Sequence, residues 1–253
     1  MRYERNINLR EIGPIRASFP AFKRKLAAAV DFSAQQLVLS KRPYVSVSGG
    51  KDSVALLGVV AEAARRCQRE IIVWSHVSDA SFPGTEETIA NACEVAGVAV
   101  HFDRSPVSAF DVFGHGGDEK YGKEGYFFGA IKNWVESGQY DLVFTGVRAA
   151  ESRRRMIAAR GHGMAYSTNV PTPHKKCEPL AWWSIDDVAA AIYHYGMPIH
   201  PIYEKRRMTD VPIRLGYVTA ADWMADQATF LRMNYPEQFR KLAAVAPEVR
   251  NHV

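Results

Sequence analysis

Pro43-Tyr44-Val45-Ser46-Val47 runs directly into Ser48-Gly49-Gly50-Lys51-Asp52-Ser53, and an apolar run from Val54 to Val60 follows at once. A β-rich stretch, halted by two glycines and resumed as an apolar run, predicts a strand, a tight turn and the start of a helix. In such a turn the first backbone N–H groups of the helix lack intrahelical partners, and the helix dipole is positive there. Glycines let the chain curl closely around an anion, so the turn suits a phosphate or a sulfate. Lys51 adds charge, and the hydroxyls of Ser48 and Ser53 add donors. Asp52 is the odd member: a carboxylate beside an anion site needs a bridging cation, which suggests Mg²⁺ held by Asp52.

Composition narrows the class without choosing the chemistry. A chain of 253 residues with 47% hydrophobic and 11% aromatic residues buries a substantial core. No apolar run approaches the roughly 18 residues of a membrane span, and the first residues carry acid and no apolar core. The expectation is a cytoplasmic protein with no membrane association. Cys67, Cys93 and Cys177 are far apart and form no Cys-x-x-Cys, so buried structural thiols are expected and an iron–sulfur cluster is not. The net charge of +5 is unevenly placed, with Arg148, Arg153, Arg154, Arg155 and Arg160 crowding one stretch beside the lone acid Glu151. That cluster suits nucleotide phosphates, nucleic acid or plain solvent, and composition does not separate them.

Helical spacing from about Pro20 to Leu39 predicts an amphipathic helix ahead of the first strand, and the helix after the turn extends to about Arg66. Glu70 to Val77 reads as a buried second strand, Pro83-Gly84-Thr85 opens a helix through Ala96, and Val98 to Phe102 reads as a third strand. A Gly-rich stretch around Gly114, Gly116 and Gly117 precedes a helix from about Gly125 to Glu136, and Leu142 to Thr145 makes a fourth strand. His162 to Lys176 reads as a mobile loop. Ser184 with Asp187 caps a helix through Tyr195, and two helices, about Ala221–Met233 and Pro236–Val245, finish the chain. Alternating strands and helices predict an α/β fold with a doubly wound, mostly parallel, Rossmann-like sheet. The expected organisation is one domain over 1–253, with a core of about 40–205 and a helical C-terminal extension of about 206–253. Ligands in such sheets bind beyond the carboxyl ends of the strands, where the turn, Asp79 and Gly146 project.

The turn is not a Walker loop, which would need Gly where Val45 stands and Ser or Thr where Asp52 stands. Ser-Gly-Gly-Lys-Asp-Ser instead resembles the PP-loop of the ATP pyrophosphatases. Asp79-Ala-Ser-Phe-Pro-Gly-Thr-Glu86 resembles the Asp-x-x-Phe-Pro-x-Thr stretch of the phosphoadenylyl-sulfate (PAPS) reductase family. Gly146-Val-Arg148-Ala-Ala-Glu151-Ser-Arg-Arg-Arg155 resembles the family's Gly-x-Arg-x-x-Glu-Ser-x-x-Arg. Glu178-Pro179-Leu180, the Trp183–Val188 helix start and the turn through Pro201-Ile202-Tyr203 complete a likeness running from about Val45 to Tyr203. In that last segment most residues look architectural, and His200 reads as a packed histidine. The group so resembled comprises adenine-nucleotide α-hydrolase-like proteins: PAPS reductases, the nucleotide-cleaving subunit of ATP sulfurylase, and ATP pyrophosphatases of nucleic-acid thiolation.

The resemblance implies an adenine nucleotide, ATP or PAPS and its unphosphorylated analogue APS, with Mg²⁺. Gly49, Gly50 and Ser53, beside Ser48, would cradle pyrophosphate that Lys51 neutralises. Arg148 and Arg155 would stabilise transition-state charge, with Glu151 orienting an arginine. Gly146 permits close approach to a ligand. Asp79 is read evenly as a nucleoside ligand or a turn-forming residue. Two departures matter: no Cys follows Cys177, where PAPS reductases carry a catalytic Cys, and Tyr217 stands where phosphorothioation enzymes place a cluster cysteine. The expected function is therefore ATP cleavage to AMP and pyrophosphate with adenylylation of an acceptor, in nucleic-acid modification or sulfur transfer. The alternatives are a PAPS- or APS-binding or ATP-sulfurylase-like protein relying on a partner for its thiol or GTPase, and a nucleotide-sensing module without turnover. A homo-oligomer is compatible with all three.

Overall fold

Two runs of small and branched apolar residues, one in a helix and one in the strands beneath it, organise the molecule. The structure, a computed structural model, describes residues 8–105, 108–110, 127–205 and 226–252. Its elements in chain order are α1 (Leu9–Ala17), α2 (Pro20–Leu39), β1 (Pro43–Ser46), α3 (Lys51–Cys67), β2 (Ile72–Val77), α4 (Thr85–Ala96) and β3 (Ala99–Arg104). After these come α5 (Phe127–Gly138), β4 (Leu142–Phe144), a 3₁₀ turn (Ala149–Glu151), α6 (Arg153–His162), β5 (Ala165–Thr168), β6 (His174–Cys177) and α7 (Ile185–Tyr195). The short α8 (Ile202–Lys205), α9 (Asp226–Asn234), α10 (Pro236–Val245) and a closing 3₁₀ turn (Pro247–His252) complete them.

The six strands form one sheet in the order β3-β2-β1-β4-β6-β5. All neighbours are parallel except the β5–β6 pair, where Ala165 faces Cys177 and Thr168 faces His174. The α/β, doubly wound expectation holds. Alternation along the strands decides the two faces. Val45 and Val73 point to a core shared with α2, α3, α4 and α7, whereas Tyr44, Trp74 and Val143 point to the other face, against Val135 of α5. The run Ser53–Ala61 of α3 is buried throughout, which suits a helix wedged between the sheet and further helices. Tyr195 packs on it so closely that a Cβ at Gly58 would lie 2.4 Å from the ring.

At the start of α7, Ser184 and Asp187 form the expected capping box, and Gly196 ends the helix in the left-handed region (φ +64°). The buried Asp187 carboxylate also accepts from Arg16 (2.7 Å) and Lys25 (2.6 Å), so one side chain ties α1 and α2 to α7.

Two parts differ from expectation. The stretch expected to be a mobile loop, His162–Lys176, contains the β5–β6 hairpin, because parallel pairing of His174–Cys177 with β4 outweighs the poor strand propensity of its Gly, Pro and Lys residues. Helix α1, which precedes the first expected helix, contains Pro14 and Gly13 and forms against α7. A Cβ at Gly13 would lie 2.8 Å from the Ala189 carbonyl. The Gly-rich stretch around Gly114, the start of the helix expected from Ala221, and Tyr217 lie outside the described residues. Phe230, Leu231, Leu242 and Val249 of the C-terminal helices cluster with Phe82, Phe110 and Ile202, beside the turn that follows β2.

Candidate nucleotide site

The strand order reverses direction at β1, with β2 on one side and β4 on the other. That switch point opens a crevice at the carboxyl ends of β1 and β4. The loop between β1 and α3 enters it. Gly49 is in the left-handed region (φ +76°), and a Cβ there would stand 3.3 Å from Thr85 Cγ2 and 3.4 Å from Ile89 Cγ1. Gly50 is extended and precedes the first helical residue without a side-chain cap. Ser53 Oγ donates to the Gly50 carbonyl (2.9 Å) and accepts from the Ser48 N–H (3.2 Å), holding the loop curled. The N–H groups of Asp52 and Ser53 have no acceptor among the described residues, so they are available to an anion.

Gly146, just past β4, completes the wall. A Cβ there would lie 2.8 Å from the carbonyl carbon and oxygen of Asp52 and 2.9 Å from Ser53 N. The close approach that this glycine permits is therefore to the backbone of the first turn of α3.

Three charges are locked together beneath the loop. Asp52 Oδ2 accepts from Lys51 Nζ at 2.8 Å, and Asp52 Oδ1 accepts from Arg148 Nε at 2.5 Å. Arg148 is 0% exposed, and its Nη1 also donates to the Trp183 carbonyl at 3.3 Å. Burial pushes the Asp52 carboxyl up, but the adjacent Lys51 and Arg148 cations more than offset this and hold it below the usual carboxylate range. Burial likewise lowers Lys51, and Asp52, aided by Tyr203, more than restores it, so the ammonium is firmly charged. Asp52 as the residue holding Mg²⁺ does not fit this arrangement, since both of its oxygens are taken by cations. Among the described residues no set of three or more His, Cys, Asp or Glu is grouped to hold a metal.

Around this triad the remaining expected residues take definite places. Glu151 Oε2 accepts from the Arg148 N–H at 3.0 Å and pairs with Arg155, so it orients both arginines, one through its backbone. Asp79 accepts from the Ser108 hydroxyl (2.5 Å) and the Ala109 N–H (2.8 Å), so both of its carboxylate oxygens meet the chain about 30 residues further on. His200 is packed, as expected. Its Nδ1 accepts from the Ile202 N–H (3.1 Å), which leaves Nε2 to donate to Thr85 Oγ1 (3.1 Å), and burial pushes its pKa down to about 4. The thiols Cys93 and Cys177 are buried, and burial raises both, Cys93 to about 12.

Sequence reasoning missed Tyr203, placed among architectural residues. Its hydroxyl accepts from the Lys51 N–H at 3.1 Å, and its ring centre lies 6.0 Å from Lys51 Nζ. It thus occupies one anion-loop donor from 152 residues away along the chain. Ser75 Oγ on β2 and Thr145 Oγ1 at the end of β4 are also buried without a hydrogen-bond partner among the described residues. These hydroxyls flank the loop on neighbouring strands, and neither carries a sequence signal.

Residues 42–228 match the family of phosphoadenosine phosphosulfate reductase domains. The chain belongs to that family. No curated protein sequence matches it. Among solved structures, this family member resembles Candida glabrata FMN adenylyltransferase in complex with FMN and the ATP analogue AMPCPP. The TM-score is 0.57 at 11% identity, covering 77% of this chain and 66% of that one, so the chain spans just under two thirds of that enzyme. It also resembles the phosphate complex of Candida auris PAPS reductase (TM-score 0.53, 13% identity, 78% and 96% covered). A third likeness is to the U34-tRNA thiolase NcsA of Methanococcus maripaludis with its iron–sulfur cluster (TM-score 0.53, 15% identity, 92% and 81% covered). These likenesses show a shared fold, the adenine-nucleotide α-hydrolase-like one. Among the described residues no helix is long and apolar enough to cross a membrane.

Proposed function

We propose that this protein binds ATP in the crevice between β1 and β4 and cleaves it between the α- and β-phosphorus. An acceptor nucleophile forms a bond to the α-phosphorus, the bond to the bridging oxygen breaks, and pyrophosphate leaves with that electron pair. The observation that carries this reading is the loop itself: unpaired N–H groups on Asp52 and Ser53, with the charged Lys51 beside them. Lys51 and the loop N–H groups take the leaving pyrophosphate. Asp52 orients Lys51, and Arg148 acts through Asp52 as a positioning residue. Arg155, paired with Glu151 and with a side chain 38% exposed, would turn to an incoming phosphate. The buried, unpartnered hydroxyls of Ser75 and Thr145 suit the polar edges of a nucleoside, since an unmet buried hydroxyl is costly until a ligand satisfies it. Magnesium enters as the nucleotide's own counter-ion. The relatives that hold AMPCPP or transfer adenylyl groups make ATP the first nucleotide to try.

Family membership favours one second reading, in which PAPS or APS binds with its sulfate at the loop and a partner protein supplies the thiol. Incubation with Mg²⁺ and α-labelled ATP separates them. AMP and pyrophosphate, lost in Lys51→Ala, support ATP cleavage. Absence of cleavage with tight calorimetric binding of PAPS supports the second reading. Binding of ATP without turnover makes the protein a nucleotide sensor.

A further inference from the structure

The chain's whole excess of positive charge lies in one continuous segment. Residues 152–177 hold six of the 32 Lys and Arg residues and none of the 27 Asp and Glu; the remainder carries 26 against 27, a net −1 beside the total of +5. In the fold this segment is α6 followed by the β5–β6 hairpin, at one edge of the sheet. Arg153, Arg154 and Arg160 are exposed, and no acid pairs with them among the described residues. Lys175 Nζ donates to Gln36 Oε1 of α2 at 2.7 Å, on the face of the hairpin opposite to Lys176. Lys176 lies 3.8 Å from Glu178 and 5.9 Å from the centre of the Tyr166 ring, on which the His162 ring packs at 3.6 Å.

This distribution differs from an ordinary solvated face, where charges of both signs alternate and relieve one another. It is also not protection of an edge strand, because Lys175 and Lys176 lie on β6, paired on both sides, while the edge strand β5 has no charged residue. The three exposed arginines of α6, which no acid pairs among the described residues, attract a polyanion. The location matters as much as the sign. Helix α6 starts two residues past Glu151, whose partner Arg148 is bonded to Asp52, so this basic helix begins beside the candidate phosphate site.

We infer that α6 and the β5–β6 hairpin bind the phosphate backbone of a polynucleotide, and that this polynucleotide is the acceptor. The acceptor half rests on the ATP-cleaving reading above; the binding half does not. A membrane surface is the weaker partner, because the exposed apolar side chains of the segment are two isolated ones, Ile157 and Val170, rather than a stripe.

The test is fluorescence anisotropy with a labelled single-stranded 24-nucleotide RNA and its DNA counterpart across a salt series, beside flotation with phosphatidylserine vesicles. Contacts to about four to six phosphates give a log–log salt slope of about −3 to −4 for a single strand. Arg153→Glu/Arg154→Glu/Arg160→Glu should weaken nucleic-acid binding by at least about thirty-fold, while acceptor-free ATP hydrolysis and the circular dichroism spectrum stay unchanged. If that variant folds poorly, the triple Gln variant serves, with about a ten-fold loss expected. Wild-type affinity in either folded variant, a salt-independent interaction, or binding to vesicles but to neither polynucleotide overturns the inference. Lys51→Ala keeps polynucleotide binding. If polynucleotide binds normally and wild-type protein cleaves no ATP, the ATP-cleaving reading fails and the binding surface stands.

Discussion

Asp52→Asn separates the two roles this residue can play. The substitution keeps shape and removes the carboxylate charge that Arg148, 0% exposed, meets at 2.5 Å, while Lys51, 15% exposed, can turn to water. Removing one partner of a buried pair costs about 3–5 kcal/mol. The Asn oxygen still accepts one hydrogen bond from Arg148 Nε, so the low end, about 3 kcal/mol, is expected. In a chain of this size that lowers Tm by about 6–12 °C. Urea denaturation measures it as a fall in midpoint at unchanged slope. Arg148→Met alone should cost a similar amount, and the double variant should fall short of the sum by about 2 kcal/mol, because each single change already removes the shared contact. Pyrophosphate affinity, measured by calorimetry, should fall as Lys51 loses its anchor. An Asp52→Asn protein as stable as wild type that has lost only magnesium-dependent nucleotide binding would refute this reasoning: Asp52 would then be a metal ligand and the ion pair dispensable.

Tyr203→Phe removes the hydroxyl that competes with an anion for the Lys51 N–H. One net hydrogen bond is worth about 0.5–1.5 kcal/mol, so pyrophosphate should bind about two- to ten-fold more tightly by calorimetry. Weaker binding would mean that the hydroxyl itself donates to the ligand. His200, with a pKa of about 4 in place of 6.5, stays neutral in the fold while the unfolded chain takes up a proton. Its stability contribution is complete above pH 6.5 and is lost as pH falls toward 4, by about 3 kcal/mol in all. His76 and His174 shift in the same direction, whereas the carboxylates of Asp52, Asp141 and Asp187 lose their contribution only below their ordinary value of 3.8. Chemical denaturation at pH 7.0 and 4.5 should therefore show a shallower loss in His200→Gln than in wild type, and an equal loss would place the proton elsewhere.

Much of the architecture was legible because the signals are local. The apolar runs of β1, β2 and β4, the glycines of the anion loop and the Ser184–Asp187 cap act within a few residues of themselves, so their chemistry can be read in order along the chain. Ser48, Gly49, Gly50, Lys51 and Ser53 stand together in space because they stand together in sequence.

What the chain by itself determined is thus a strand–loop–helix turn in a doubly wound sheet, with basic residues downstream of the fourth strand. The tertiary structure alone decided what the charged members of that site touch. Asp52 meets Arg148 from 96 residues away, Tyr203 reaches Lys51 from 152 residues away, and Gly146 presses on the first turn of α3. Only the parallel pairing of β6 with β4 turned a Gly- and Pro-rich stretch into a hairpin carrying Lys175 and Lys176 beside α6. Each of these outcomes depends on a partner distant in sequence, and periodicity and local propensity carry no record of such a partner.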